Sequence, residues 1–285
     1  GYLAHFLGLV SRWYLSGHAP WSNGYEAIIF ISWIGISAGL MFYFGFGKPS
    51  LKKKDSSEKI KRNNVSNALI PAAGFMVAVI MMGFAHGGSA LDPQITPLVP
   101  VLKSYWLIVH VAIITSSYGF FGLSMVIAVI TLLFYIISNK KSYLFHHDTT
   151  IKELTIVSEM SLTMGLFALT VGNFLGGIWA NESWGRYWSW DPKETWAFIS
   201  IMVYAFVLHM RLVPGLRGRW SYHVAAMFAF CSMVMTYFGV NYYLSGLHSY
   251  AAGDPVPVPA WVYIGLSSMV LLAAVSFIKF KALKK

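Results

Sequence analysis

Trp106-Leu107-Ile108-Val109-His110-Val111-Ala112-Ile113-Ile114 opens an apolar run that continues without a charged residue to Ile137. A helix rises about 1.5 Å per residue and a hydrocarbon core is about 30 Å thick, so this run is long enough to cross a membrane. Comparable runs occupy residues 25–47 and 65–85 before it and 156–178, 195–213, 222–244 and 258–279 after it, and a shorter one, 1–15, opens the chain. Inside a bilayer a backbone must satisfy its own polar groups, which long apolar helices do. The fold class read from these runs is an all-α, polytopic integral membrane bundle of about eight transmembrane helices, forming a single domain over 1–285. A hydrophobic fraction of 56% and a charged fraction of 11%, with a mean hydropathy of +0.58, exclude an ordinary soluble domain.

The net charge of +10 would suggest nucleic acid in a soluble protein. Here its distribution matters more. Lys48, Lys52, Lys53, Lys54, Lys59, Lys61 and Arg62 share one connection, Lys140, Lys141 and Lys152 another, Arg211, Arg217 and Arg219 a third, and Lys279, Lys281, Lys284 and Lys285 close the chain. By the positive-inside rule these face the cytoplasm, and the connections around 17–24, 86–105, 179–194 and 245–257 face outward. The basic clusters then meet lipid headgroups of the bilayer, with no nucleic acid as partner. Cys231 is the sole cysteine, so no internal disulfide or Cys-X-X-Cys pair can form and any thiol chemistry uses another protein's cysteines. No Gly-rich phosphate loop, zinc-type spacing, Gly-X-Ser-X-Gly elbow or internal repeat is present. The first run is short for a span and the chain begins at Gly1 rather than Met, so it is expected to be the tail of a longer polypeptide.

Between two of the apolar runs lies Trp179-Ala180-Asn181-Glu182-Ser183-Trp184-Gly185-Arg186-Tyr187-Trp188-Ser189-Trp190-Asp191-Pro192-Lys193-Glu194-Thr195-Trp196, with five of the chain's eleven tryptophans. Their flat, rigid faces beside charges of both signs suit a large planar ligand with anionic edges. The alternative is an interfacial aromatic belt, which does not need so many tryptophans in one connection or Asp191 and Glu194 beside them. The stretch 179–196 is therefore expected to be an outward-facing ligand-binding loop. Asp191 and Glu194 have a second use, capping the following helix with Pro192 in its first turn.

Depth sorts the nine histidines. His110 lies just inside the outward end of its run and His248 comes after the run ending near Leu244, so both sit on the side of the tryptophan stretch. Two neutral imidazoles over an aromatic shelf suit the axial positions of haem iron; each alone is also a common wet interfacial residue. His209 lies 18 residues after Asp191 on one expected helix, about 27 Å away and near the inner face. An ionisable group there is a functional candidate, or a hydrogen-bonding partner of a neighbouring helix. His5 and His223 are placed toward inner ends as well, whereas His18, His86, His146 and His147 are expected to be solvated.

The run from Trp184 to Glu194 resembles the tryptophan-rich (WWD) signature of the haem-handling proteins of cytochrome c-type biogenesis, and the chain resembles the CcsA (ResC) branch of system II. Arg12-Trp13, Ser16 to Pro20, Ser22 to Glu26, Trp106 to Val111, Leu208 to Arg211, Gly239 to Asn241 and Gly246 to Tyr250 fit that branch in order. The resemblance implies that Trp179, Trp184, Gly185, Arg186, Tyr187, Trp188, Trp190, Asp191, Lys193, Glu194 and Trp196 form a haem-binding loop, and that His110 and His248 are axial ligands. It implies that His209 belongs to an inner site whose second histidine comes from CcsB (ResB), either a separate partner or a region fused ahead of this one.

The same resemblance implies haem transport across a bacterial cytoplasmic membrane, in preference to a chloroplast thylakoid, and a holocytochrome c synthase (haem lyase) reaction. Haem b would be substrate and bound ligand. Apocytochrome c would supply the thiols of a Cys-X-X-Cys-His motif, and thiol-reducing proteins would keep them reduced. No residue of this chain need act as nucleophile; Arg186 and Lys193 are candidates for the propionates, or partners of Glu182 and Glu194. The rival readings are a haem exporter without ligation activity and a fixed bis-histidine electron carrier.

Overall fold

The computed structural model describes residues 1–47, 64–87, 91–95, 104–143, 147–247 and 257–284, and over these residues the chain is helical without a strand. In order they form α1 (Tyr2–Ser16), α2 (Gly24–Gly47), α3 (Asn64–Gly87), α4 (Tyr105–Ile137), a single turn α5 (Lys140–Ser142), α6 (Asp148–Trp184), α7 (Pro192–His209), α8 (Arg219–Val234), α9 (Val240–Tyr243) and α10 (Ala260–Lys284). A five-residue π-helical segment, Met235–Gly239, joins α8 to α9. Among the described residues seven helices are long and apolar enough to cross a membrane, with α8 and α9 counted as one. The eighth apolar run, now α1, is only 15 residues long and lies along α2. The protein is thus a polytopic helical membrane protein, and its outside is apolar: Phe167, Phe174 and Ile278 are 72%, 75% and 68% exposed. In water such a surface would aggregate; facing lipid it costs nothing.

The helices hold together by close approach and hydroxyl bridges, because lipid removes the hydrophobic drive between helices. At the α2–α3 crossing the backbones touch. A Cβ on Gly74 would lie 2.7 Å from the Gly35 carbonyl oxygen and 3.2 Å from Gly39 Cα. Between α4 and α6, Ser124 Oγ meets Ser158 Oγ at 2.7 Å, and Ser158 meets the Tyr222 hydroxyl of α8 at 3.0 Å. Phe121 of α4 stacks on Tyr204 of α7, centroids 3.7 Å apart. Ser200 of α7 and Thr236 of the π segment are 2.9 Å apart, and the Trp196 carbonyl accepts from Thr236 at 3.0 Å. Seams of small and hydroxylated residues therefore set the helix order where Leu and Ile cannot discriminate protein from lipid.

The connections alternate between two ends. At the basic end Arg219 and Lys152 each reach Asp148 at 2.8 Å. At the tryptophan end Arg12 of α1 donates to Glu26 of α2 at 2.9 Å and to the carbonyls of Pro93 and Gln94. Glu26 is fully buried and also accepts from the Ser22 N–H at 3.0 Å. A buried carboxylate must be paired, and this pairing fixes the 17–26 connection, Trp21 included, against the rest of that end.

Candidate functional site

The stretch 179–196 is not one loop. α6 continues to Trp184, where Gly185 ends it with a φ of 72°, and α7 begins at Pro192. Only Gly185–Asp191 connects them, because a helix keeps its backbone bonds past the point where hydropathy falls. Asp191 is the N-cap of α7, its carboxylate accepting from the Lys193 N–H at 3.1 Å with Pro192 in the first turn. Glu194, in that same turn, reaches back to accept from the Ser189 N–H at 2.8 Å. Asp191 therefore caps α7, whereas Glu194 ties the connection back onto the first turn of that helix.

Beneath this connection a cavity of about 430 Å³ opens between α2, α4, α6, α7 and the π segment, inside the range of roughly 300–1,000 Å³ usual for small-molecule sites. It runs along α4 from Leu107 to Tyr118, a depth of about 16 Å by helix rise. Trp21, Trp179, Tyr187 and Trp188 supply aromatic walls, and Tyr118 and Tyr237 border its deep part. Polar side chains enter the lining as Ser22 and Asn23 before α2, His110 and Thr115 on α4, Asn173 on α6, Lys193 and Glu194 on α7, and Thr236 and Asn241 after α8.

The local contacts of His110 are the most chemically informative. Its Nδ1–H donates to the Gly172 carbonyl at 2.7 Å, which puts the lone pair of the neutral ring on Nε2, the arrangement seen where histidine ligates a metal. The ring lies nearly parallel to the buried Trp179 indole, 11° between planes and 6.4 Å between centroids. It rests on Gly176, where a Cβ would fall 2.4 Å from Cε1. Trp184 packs edge-on against Trp179 at 4.8 Å.

Lys193 also faces the cavity. Its Nζ donates to Asn241 Oδ1 at 2.8 Å and lies 6.0 Å from the Tyr237 ring centroid. Among the described residues no carboxylate is within ion-pair distance of it. Arg186 is exposed and outside the cavity lining, and Glu182 accepts from Ser104 Oγ at 2.7 Å. Trp190 is 71% exposed, packs edge-on against Trp188 at 5.6 Å and has a φ of 58°, a left-handed conformation rare for a bulky residue. Trp184, Gly185, Trp190, Asp191 and Trp196 do not border the cavity.

His248 lies outside the described residues. Its neighbour Leu247 donates its N–H to Asp191 Oδ1 at 2.6 Å. His209 ends α7 and is exposed, with Nδ1–H donating to the Ala205 carbonyl at 2.7 Å. His5 corrects an expectation. It donates to the Ile29 carbonyl at 3.0 Å, five residues into α2 from the tryptophan end, because α1 is too short to reach the other end. His18, its side chain 12% exposed, sits 3.7 Å from Glu26, and half-buried His147 donates to Ser138 Oγ at 2.6 Å, so neither is a solvated surface group. His223 is fully buried and donates from Nε2 to Thr155 at 2.9 Å.

A model of the family described as cytochrome C assembly protein matches residues 21–248, most of the chain and every wall of the cavity. The chain belongs to the cytochrome c assembly family. It is 46% identical over 254 residues to protein NrfI of Wolinella succinogenes, covering 89% of this chain but only 25% of that protein, so it spans a quarter of that relative's length. It is 32% identical to the cytochrome c biogenesis protein CcsA of Lobularia maritima, over 86% of this chain and 81% of that one. To CcsA of Prochlorococcus marinus subsp. pastoris it is 34% identical, over 86% and 78%. It is a CcsA-type cytochrome c biogenesis protein.

Several groups that line the cavity of this cytochrome c assembly protein were not singled out from sequence: Trp21, Asn173, Gly176, Gly177 and Tyr237. The one local signal was the Gly176-Gly177 pair in an apolar helix, since a Cβ on Gly177 would lie 3.0 Å from the Tyr187 carbonyl oxygen. That pair lets the tryptophan connection settle on α6 and His110 settle beside it.

Proposed function

We propose that this chain carries haem b across the cytoplasmic membrane of a bacterium, holds it in the cavity at the tryptophan end, and serves there as the synthase that joins it to apocytochrome c. The observation that supports this best is His110, oriented by Gly172 and Gly176 so that its lone-pair nitrogen is Nε2, in a cavity walled by indoles. The tryptophan end faces outward and the basic end the cytoplasm. Haem arrives from the cytoplasmic side at His209, whose exposed ring calls for a second ligand from another polypeptide, the CcsB (ResB) partner or a region fused to this one. It is then held outside by His110 and, from the segment just after Leu247, His248.

In the cavity the indoles of Trp21 and Trp188 enclose the macrocycle, and Lys193, whose Nζ has no carboxylate within ion-pair distance among the described residues, neutralises a propionate. Exposed Arg186 does not. Each thiol S–H of the substrate's Cys-X-X-Cys-His motif adds across one vinyl C=C: sulfur bonds one carbon, hydrogen the other, and the double bond becomes single. No electrons are gained or lost, so the chain's part is positioning. Thiol-reducing proteins keep the substrate cysteines available.

The test is purification of the full complex and then incubation with a Cys-X-X-Cys-His peptide. A bis-histidine haem spectrum and covalent haem on the released peptide are expected. Bound haem without thioether formation would reduce the role to export, and haem that never leaves would favour fixed electron transfer.

A further inference from the structure

Arg12 of α1 holds three other points of the chain at once. Its Nε donates to Glu26 Oε1 of α2 at 2.9 Å, and its terminal amino groups donate to the carbonyls of Pro93 at 2.9 Å and Gln94 at 3.2 Å. Glu26 is fully buried. Its second oxygen accepts from the Ser22 N–H at 3.0 Å, and His18 stands 3.7 Å from that same oxygen. The residue before Ser22, Trp21, is a wall of the cavity. Its indole N–H donates at 3.0 Å to the carbonyl of Ile108, two residues before His110 on α4, and the Phe30 ring backs it at 4.7 Å between centroids. The wall indole is therefore tied on one side to the helix that carries His110 and on the other to a buried ion pair whose cation comes from α1. No residue of α1 itself borders the cavity.

Stability alone is a poor reason for this pair, because desolvating two charges offsets much of their attraction and an apolar pair would hold two helices as well. What a guanidinium on a carboxylate adds is direction, since the planar fork fixes several acceptors relative to one another. We infer that Arg12 is a positioning residue for the outer site: through Glu26 and the Ser22 N–H it sets where the Trp21 indole closes the cavity beside α4, without touching haem. This rests on the reading of the cavity as a haem site. α1 then serves as a brace laid along the bundle.

The test uses the full complex, with haem per protein recorded with and without added imidazole. Arg12→Met alone would leave a buried carboxylate unpaired and should accumulate poorly. Arg12→Met combined with Glu26→Met removes both charges, so the protein should accumulate while haem retention falls about tenfold, the order expected for losing a hydrogen bond to a charged group. Imidazole should not restore this loss, because the axial position is untouched, although it should restore His110→Gly. Trp21→Leu should show the same loss, and adding it to the double variant should lower retention no further, as expected for residues acting as one unit. Glu26→Gln, which keeps the shape but presents an NH₂ to one of the two donors, should fall between and carries the test if the double variant accumulates poorly. Normal haem retention in both the double variant and Glu26→Gln, or a loss that adds to that of Trp21→Leu, would overturn the inference. An unaltered complex without haem would instead remove the haem reading. In that case labelling of Ser22→Cys by an impermeant maleimide, in a Cys231→Ser background, still decides: a faster rate once the brace is removed supports it, and an equal rate overturns it.

Discussion

Gly176 lies directly under the imidazole of His110: a Cβ there would stand 2.4 Å from Cε1 and 2.7 Å from Nδ1, closer than any real contact. The ring is thereby confined between α6 and the Gly172 carbonyl, one turn earlier on the same helix. Gly176→Ala should force the ring off that carbonyl at a cost of about 1–3 kcal/mol and reduce haem retention about tenfold. Immunoblots should show an unchanged amount of protein in the membrane. Normal haem content at normal protein level would mean that His110 is not held by this contact.

Trp190 is exposed and left-handed, so its ring and its backbone can be tested separately. Trp190→Ala and Trp190→Gly should both leave the protein in the membrane and both lower cytochrome c output. The glycine variant should be the more stable of the two by about 1 kcal/mol, because glycine adopts positive φ freely. Thermal unfolding in detergent gives the difference. Comparable loss of protein in both variants would make the tryptophan structural.

Lys193 lines the cavity and Arg186 does not. Lys193→Met removes a charge that faces the cavity and should weaken haem retention about tenfold or more. Arg186→Met should change it by less than about twofold, the usual scale for an exposed charge. Imidazole should rescue neither, since the axial position is untouched. Haem per protein checks this, and the reverse ranking would place the propionates at the outer rim.

His209 lies at the far end of α7 from Asp191, about 27 Å by helix rise, so it cannot share an iron with the outer ligands. If haem passes from one level to the other, His209→Ala should reduce haem at the outer site without touching it. Added imidazole should restore part of this loss, because a small ligand replaces a missing imidazole but cannot repair misfolding. Full outer occupancy without imidazole, at equal protein, would sink delivery from the cytoplasmic side.

The sequence by itself determined the spans. The run read at 222–244 is the helical segment Arg219–Tyr243, and that at 65–85 is Val65–Gly87, since a hydrocarbon core of fixed thickness imposes a length and a composition on every crossing segment independently of its neighbours. It also determined that the tryptophan stretch and His110 share one end, because alternation of crossings needs no tertiary information. What it misjudged was local extent: Trp179 and Trp184 are helical residues of α6, because helical hydrogen bonding continues where apolarity stops. Only the tertiary structure decided which residues meet. His5 lies level with Ile29 because a short helix docks wherever its side chains find partners. Trp21, Gly176, Lys193 and Asn241 converge on one cavity from four separate stretches of chain. The carboxylate of Asp191 meets the N–H of Leu247 for the same reason: such contacts are set by close backbone approach and hydrogen-bond geometry between helices that leave almost no trace in hydropathy.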